Sequence, residues 1–323
     1  MKYTAAIRTL GTAGEKYQCL LDSLVNQTLK PDKILVYIAE GYPIPKETVG
    51  IEEYIYVKKG MVAQRALDYK EINSDFILFL DDDLQLGEDA VEKMFVGLIN
   101  NNLDVISPDI FRNNTRSFLN ELMMCLSGRM KARYINDAWG YKVMRTAGYS
   151  YRKHINQYVY RSETNAGAAF LCRKKDFLKV NLKSELWLDR MTYPLGEDQT
   201  MYYKMHLSGL KVGTLYNHSF KHLDAGGNSN PEKEKRLIYS DFWFKTIFWH
   251  RFIFSPERRL FFRLINCLCI GYAFGFSIVS SFIKCRFDIL QIKYSAIKEG
   301  IAFIKSEDYK IIPKILKSLN YEQ

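Results

Sequence analysis

Two groups of acidic side chains have the type and spacing to do chemistry. Asp81, Asp82 and Asp83 are consecutive and follow the apolar run Phe76–Leu80. Neighbouring carboxylates repel one another, so a bound cation is their natural compensation. Oxygen ligands suit Mg²⁺ or Mn²⁺, which commonly share substrate phosphates. In an extended segment Asp81 and Asp83 would face one ion together. The alternative is a solvated acidic turn that caps the next helix.

The second group is Glu197-Asp198, directly after Gly196. A helix is predicted over Asp198–Ser208, and carboxylates are favoured at a helix N-terminus. Capping would explain one acid but not two. The other reading is a general base, which removes a proton from an acceptor hydroxyl in the transition state.

The apolar pattern predicts strands that alternate with helices. The predicted strands are Tyr3–Thr9, Lys33–Ala39, Tyr54–Lys58, Asp75–Leu80, Asp104–Pro108, Ala166–Arg173 and Lys211–Tyr216. The predicted helices include Glu15–Gln27, Val62–Ile72 and Asp89–Asn100. This alternation indicates an α/β fold with a mostly parallel, helix-covered sheet, in which ligands collect beyond the carboxyl ends of the strands. Glu40 and Asp81 fall at such ends.

The length and the charge of the chain limit the classes of protein to which it can belong. A chain of 323 residues suits one large domain, or one domain plus an appendage. The net charge of +10 is concentrated in two segments: 112–161 has 10 Lys/Arg against 2 Asp/Glu, and 233–323 has 16 against 8. Such segments attract nucleic acid, anionic lipid or phosphorylated substrates. Because no nucleic-acid-binding motif is present and the rest is acidic, we expect no nucleic-acid partner.

The cysteines and the termini suggest a compartment. The six cysteines form no C-x-x-C pair and no zinc spacing, so reduced thiols in the cytoplasm are expected. The first residues read directly into a strand, so we expect no signal peptide.

The segment Leu264–Ile283 is uncharged for 20 residues, which is long enough to span a bilayer. Its asparagine, serines and glycines lower its hydrophobicity, so a helix lying in the membrane interface fits at least as well. A buried helical appendage is the alternative. We expect peripheral membrane contact through residues 250–290, at the cytoplasmic face of a membrane.

The order and spacing of several short motifs resemble family 2 glycosyltransferases with the GT-A nucleotide-sugar fold, from about Tyr3 to about Asp224. Each motif is weak alone, and the series is specific. The matching pieces are Ile7-Arg8-Thr9, Leu24–Thr28 with Pro31, Lys33–Glu40, Gly60 with Gln64-Arg65, the strand ending in Asp81–Asp83, Ala166–Ala169 leading to Arg173, and Gly196–Asp198.

The resemblance implies a role for each matching residue. Asp198 would be the catalytic base with Glu197 beside it, Asp83 and Asp81 would hold Mn²⁺ or Mg²⁺, and His222 would reach the metal or diphosphate. The residues that would contact the nucleotide-sugar are Thr9, Glu40, Arg65, Asp81, Asp82 and Gly167. Two positions depart from the family: Glu40 stands where Asp is commoner, and Ala66 where Asn is usual.

The activity that the resemblance implies is hexosyl transfer from a nucleotide-diphosphate sugar, UDP-sugar by default, by a metal-assisted inverting displacement. The acceptor would be a glycan or lipid-linked glycan in cell-surface polysaccharide synthesis. Residues 1–232 would form the catalytic domain, with 112–161 as a partly helical basic insertion that could bind the acceptor. Residues 233–323 would form a helical, basic C-terminal region.

Three rival functions stay open. A sugar nucleotidyltransferase shares a similar sheet, but Leu10–Gly14 is sparse for its triphosphate loop, and Glu197-Asp198 would be unexplained. A basic nucleic-acid-binding protein is the second, and a catalytically inactive relative with the same fold is the third.

Overall fold

The computed structural model describes residues 2–110, 117–223 and 230–315. Residues 112–116, 224–229 (with Asp224) and 316–323 of the predicted segments lie outside the described residues. The strands are β1 (Tyr3–Thr9), β2 (Lys33–Ala39), β3 (Glu52–Val57), β4 (Phe76–Asp81), β5 (Leu84–Leu86), β6 (Val105–Pro108), β7 (Met130–Arg133), β8 (Trp139–Val143), β9 (Tyr149–Arg152), β10 (Val159–Ser162), β11 (Ala169–Arg173), β12 (Val212–Leu215) and β13 (Phe220–His222).

The α-helices are α1 (Glu15–Val25), α2 (Ala90–Asn100), α3 (Phe118–Leu126), α4 (Lys174–Lys179), α5 (Glu197–Leu207), α6 (Pro231–Phe248), α7 (Leu260–Ile283), α8 (Phe287–Lys305) and α9 (Glu307–Lys310). A 3-10 helix covers Leu182–Arg190, and a π-helical turn covers Trp249–Phe254.

An eleven-stranded sheet organises the molecule, in the order β3-β2-β1-β4-β11-β6-β12-β10-β8-β9-β7. The pairs β3–β2, β2–β1, β1–β4, β6–β12, β10–β8 and β7–β9 are parallel. The four other pairs are antiparallel. This confirms the predicted α/β class with a mostly parallel central sheet.

The register of the sheet brings charged side chains of β1 and β4 together at one edge. In the β1–β4 pair Arg8 lies opposite Asp81, so the carboxyl ends of both strands meet at one edge. Beyond Asp81 the chain turns at Asp82 and Asp83 before β5 begins. The expectation that Asp81 and Asp83 share one face of an extended segment is therefore wrong, because the strand ends at Asp81.

The predicted helix Val62–Ile72 is absent, and residues 61–65 form only a short turn. The Asp189 carboxylate accepts hydrogen bonds from the backbone N–H of Val62 (2.8 Å) and Ala63 (3.0 Å). Tyr69 adopts a φ of 48°, which is incompatible with a continuing right-handed helix. Tertiary contacts override the helical pattern here.

The basic segment 112–161 is partly helical in its described part, through α3, but it also contributes to four strands that the sequence did not predict. After α3, the strands β7 to β10 extend one edge of the central sheet. Several of its basic residues bond within the protein: Arg152 Nη1 lies 3.3 Å from Asp137 Oδ1, Arg133 also bonds to Asp137, and Arg145 bonds to Asn266 at 2.7 Å.

The C-terminal helices share a hydrophobic core with one face of the sheet. Phe244 and Phe248 of α6 belong to the same buried cluster as Trp187 and Tyr203. Phe244 also contacts Gly196, where an added Cβ would lie 2.5 Å from the ring. Helix α6 is thus packed against the start of α5.

A buried ion-pair network reinforces this contact. Glu185, which is 0% exposed, accepts hydrogen bonds from Arg251 (2.7 and 2.8 Å) and lies 2.8 Å from Lys204. Burial opposes ionisation, yet the Arg251 hydrogen bonds and the Lys204 charge lower the pKa of Glu185 to about 2.

Candidate active site

Two arginines and two carboxylates form a network at the carboxyl edge of the sheet. Arg65 donates to Glu197 (2.7 Å), Asp81 (3.1 Å) and the Gly167 carbonyl (2.9 Å). Arg8 donates to both oxygens of Asp81 (2.5 and 3.2 Å) and to Glu197 (3.0 Å). The network joins β1, β4, α5, the turn of residues 61–65 and the segment that precedes β11, through residues far apart in the sequence.

This network neutralises two of the predicted site carboxylates. Glu197 is 3% exposed, and both of its oxygens are bonded to arginines. Asp81 has both oxygens bonded as well, and the arginine charges help to hold its pKa low despite burial. In this structure Asp81 and Glu197 are therefore ion-pair partners of Arg8 and Arg65.

Arg8 and Asp189 are site residues that the sequence reasoning did not assign a role. A signal for Arg8 existed, because a charged residue inside an otherwise buried strand requires a partner. Asp189 carried no such signal, since it approaches the turn of residues 61–65 only through the tertiary fold.

Asp198 is placed differently from Glu197. Its side chain is 40% exposed, and its Oδ1 lies 3.6 Å from Arg65 Nη1. Desolvation in the site, followed by repulsion from Glu197, raises the pKa of Asp198 to about 7. A carboxyl with a pKa near neutrality and an accessible face suits a general base.

Asp82 is held against the start of the loop that follows β1. Its carboxylate accepts a hydrogen bond from the Thr9 hydroxyl, which in turn accepts from the Gly11 N–H at 2.8 Å. Desolvation by burial raises the pKa of Asp82 to about 6. Thr9 and Asp82 therefore form one unit at the cleft wall.

Asp83 and His222 are brought together by the small sheet of β5 and β13. His222 Nε2 lies 3.3 Å from Asp83 Oδ2, while Asp83 Oδ1 is buried without a hydrogen-bond partner among the described residues. A carboxylate with an unsatisfied oxygen fits Mn²⁺ or Mg²⁺, and an imidazole beside it favours Mn²⁺ over Mg²⁺, which binds oxygen ligands. No three His, Cys, Asp or Glu side chains cluster within the described ranges, so substrate oxygens would have to complete the coordination.

A cleft of about 730 Å³ connects these groups, within the size of small-molecule sites. Its lining includes Thr9, Asp81, Asp82, Asp83, Glu197 and Asp198 together with the cations Arg8, Lys16 and Lys59. Glu40 is exposed at the end of β2, outside this lining. No described residue of 117–161 lines the cleft.

Gly167 creates the space that Asp198 occupies. A Cβ at this position would lie 1.9 Å from Asp198 Oδ1 and 3.0 Å from Arg65 Nη1. We predict that Gly167→Ala displaces the Asp198 carboxylate and lowers kcat about a hundredfold, since small misplacements of a catalytic group are that costly.

The matched control for this prediction is Gly271→Ala, where an added Cβ meets nothing within 4 Å. Steady-state kinetics of both variants would check it, with melting temperatures to confirm folding. A kcat for Gly167→Ala equal to that of Gly271→Ala would contradict the placement of Asp198.

The similarity of this protein to known proteins lies in its fold and not in its sequence. The sequence matches no protein-family model and no curated protein. The fold matches TarS residues 1–349 of S. aureus in complex with UDP-GlcNAc, with a TM-score of 0.52 and 14% identity over 93% of this chain and 81% of that one.

A second match is GalNAc-T7 with UDP, GalNAc and Mn²⁺, with a TM-score of 0.51 and 13% identity over 78% of this chain. The chain spans half of the GalNAc-T7 chain. Both neighbours are GT-A glycosyltransferases. The protein therefore has the GT-A fold, as its sequence motifs predicted.

Proposed function

We propose that this protein is a glycosyltransferase that moves a sugar from a UDP-sugar to an acceptor hydroxyl. The observation that carries the proposal is the position of Asp198: a carboxyl that is 40% exposed, in a cleft of a GT-A fold, beside a network in which two arginines neutralise Asp81 and Glu197. The UDP ligands of both structural neighbours support the choice of donor.

The proposed reaction is a single displacement with inversion, as in family 2 enzymes. Asp198 removes the proton from the acceptor hydroxyl as the acceptor oxygen bonds to the anomeric carbon. The bond from that carbon to the diphosphate oxygen breaks, and the diphosphate leaves with the electron pair. Lys16 and Lys59 line the same cleft and would attract the diphosphate. Thr9, Asp82 and Glu40 remain our proposed contacts to the nucleoside.

Asp83 and His222 would hold the divalent cation, with donor phosphate oxygens completing its coordination. When bound, Mn²⁺ or Mg²⁺ supplies positive charge that stabilises the leaving diphosphate. The Mn²⁺ in the GalNAc-T7 structure supports this choice. Asp81 is not part of this proposed set, because Arg8 and Arg65 occupy both of its oxygens.

A thermal-shift panel tests the proposal. UDP-, GDP- and dTDP-sugars are added with and without Mn²⁺, and we expect UDP-sugars to raise the melting temperature only with the metal. Asp83→Asn should remove the metal-dependent part, whereas Asp68→Asn, at an exposed ion pair with Lys183, should keep it. Absence of metal-dependent stabilisation by every sugar nucleotide would overturn the proposal.

We further propose a hexosyl donor and a glycan or lipid-linked acceptor of cell-surface polysaccharide synthesis, handled at the cytoplasmic face of a membrane. Helix α7 supports the location, since it is long and apolar enough to cross a bilayer, with a mean hydropathy of 1.6, and is mostly exposed. The six cysteines are unpaired, which suits a reducing compartment. Failure of the chain to co-sediment with vesicles would contradict the membrane location.

A further inference from the structure

Helix α7 reverses the usual arrangement of an amphipathic helix. The residues that it buries against the protein are Asn266, Ile270, Ala273 and Ser281. Its opposite face is apolar and more than half exposed, at Leu264, Leu268, Tyr272, Val279 and Phe282. A helix that faces water would turn its polar side outward. The outward face of α7 therefore fits an apolar medium.

Basic residues flank this face at both ends. Arg258 and Arg259 are exposed before α7, and Lys284 is exposed directly after it. An apolar helical face with cationic ends is the pattern of a helix that lies in the surface of an anionic bilayer. The hydropathy of the outward face of α7 and the basic residues at its ends therefore both indicate that a lipid surface covers this face.

A second apolar helix adjoins α7. Helix α3 buries none of its residues and exposes Phe118, Leu119 and Leu122. The turn after α3 touches α7, since a Cβ added to Gly128 would lie 2.9 Å from the Cβ of Ala273. A second exposed apolar surface therefore lies on a helix whose end packs against the inner face of α7.

Behind α7 lies a cavity of about 300 Å³, between α6, α7, α8 and the turn after α3. Its lining contains five cationic side chains against two carboxylates. The cations are Arg129, Lys245, Lys284, Arg286 and Lys293, and the carboxylates are Glu234 and Asp241. The excess of positive charge favours an anionic ligand.

Among these five cations Lys293 is unusual, because it is buried and its hydrogen-bond partners are neutral. It is 8% exposed, and its Nζ donates to the carbonyl and hydroxyl of Ser277 and to the hydroxyl of Ser281 (2.9, 2.7 and 2.7 Å). All three partners are neutral, and no carboxylate of the described chain lies within 4.0 Å of Nζ. Burial, and then the charge of Arg129, lower the pKa of Lys293 to about 8.

The two carboxylates of the cavity are already paired. Asp241 bonds to Lys245 at 2.9 Å, and Glu234 bonds to Arg286 at 2.9 Å. Among the described residues Lys293 therefore has only hydroxyl and carbonyl dipoles within hydrogen-bonding reach, and the charge of Asp241, which acts on it from farther away, is shared with Lys245. A phosphate group would supply the missing negative charge, and serine hydroxyls could donate to its oxygens.

We propose that this cavity binds the phosphate of an anionic lipid headgroup while the outward face of α7 lies in the bilayer surface. Lys284, which lines the cavity, directly follows the exposed Phe282 and Ile283, so the cavity adjoins the apolar face. The inference rests on the proposed membrane location and is independent of the transfer reaction.

Vesicle co-sedimentation tests the proposal with two lipid compositions, phosphatidylcholine alone and phosphatidylcholine with phosphatidylglycerol. The cavity variant is Arg129→Gln with Lys284→Gln. Its control is Lys175→Gln with Lys298→Gln, which removes the same charge from exposed positions outside the cavity. We expect the cavity variant to bind anionic vesicles about thirtyfold more weakly than the control, since each of the two cations near the headgroups contributes about 1 kcal/mol and every 1.4 kcal/mol is about tenfold.

Further variants and a test with inorganic phosphate distinguish headgroup binding from other causes of vesicle co-sedimentation. Leu268→Ser with Phe282→Ser should weaken binding to both kinds of vesicle, while UDP-sugar stabilisation persists in every variant. Lys284→Gln alone, at an exposed position, serves if the double variant has a lowered melting temperature. Equal losses for the cavity and control variants would overturn the headgroup site. Stabilisation by inorganic phosphate without any vesicle binding would overturn the lipid as its source.

Discussion

Asp198→Asn should remove sugar transfer and leave donor binding intact. A general base contributes about 10²–10⁴-fold to rate, so a loss of at least a hundredfold in kcat is expected. The donor should still bind, because Lys16 and Lys59 and the residues Asp83 and His222 are unchanged. Transfer assays and UDP-sugar thermal shifts, measured on the same preparation, would check both halves.

The pH dependence of transfer provides a second readout of the same residue. Asp198 acts as a base only when deprotonated, and its pKa is raised to about 7. The rate should therefore fall as the pH drops below about 7, and Asp198→Asn should abolish this dependence. Asp22→Asn, at an exposed position on α1, is the control and should keep the wild-type profile. Retained transfer in Asp198→Asn would remove Asp198 from its proposed role.

Arg65→Met should destabilise the protein by about 3–5 kcal/mol, because removing one member of a buried ion pair leaves the other uncompensated. Arg65 is 2% exposed and binds Glu197, which is 3% exposed, and the Gly167 carbonyl. The substitution would leave Glu197 with Arg8 alone and the carbonyl without its donor. Urea unfolding measures the change in the free energy of unfolding.

Arg190→Met is the matched control for this substitution. Arg190 pairs with Asp308, and both side chains are more than half exposed, at 54% and 59%. Exposed pairs contribute about 0–1 kcal/mol, so the control should lose little stability. A loss for Arg65→Met no larger than that of Arg190→Met would show that the network is not important for stability.

The sequence alone determined the central strands of the sheet and the acidic residues at their ends. Apolar runs such as Lys33–Ala39 and Phe76–Leu80 are buried strands in the structure, because only strands of a helix-covered parallel sheet are apolar on both faces. The order of the motifs also predicted the GT-A fold. These properties are local, or follow from the order of the elements along the chain.

The tertiary structure decided which groups surround each acidic side chain of the site. The sequence shows Glu197 and Asp198 only as two adjacent acids. The fold places Glu197 between two arginines and leaves Asp198 accessible. Likewise Asp81 pairs with Arg8, whereas Asp83 faces His222. The pKa and the ligands of a carboxylate depend on groups distant in sequence, so spacing could not separate these roles.

The same limit explains the two errors of element prediction. The pattern of Val62–Ile72 suits a helix, but the Asp189 carboxylate restricts it to a turn. The strands β7 to β10 carry charged and aromatic side chains without a clear alternation, so their place at the sheet edge was not visible beforehand. For the apolar stretch of α7 the sequence predicted membrane contact. Only the packing of Asn266 and Ser281 against the protein showed which face is turned outward.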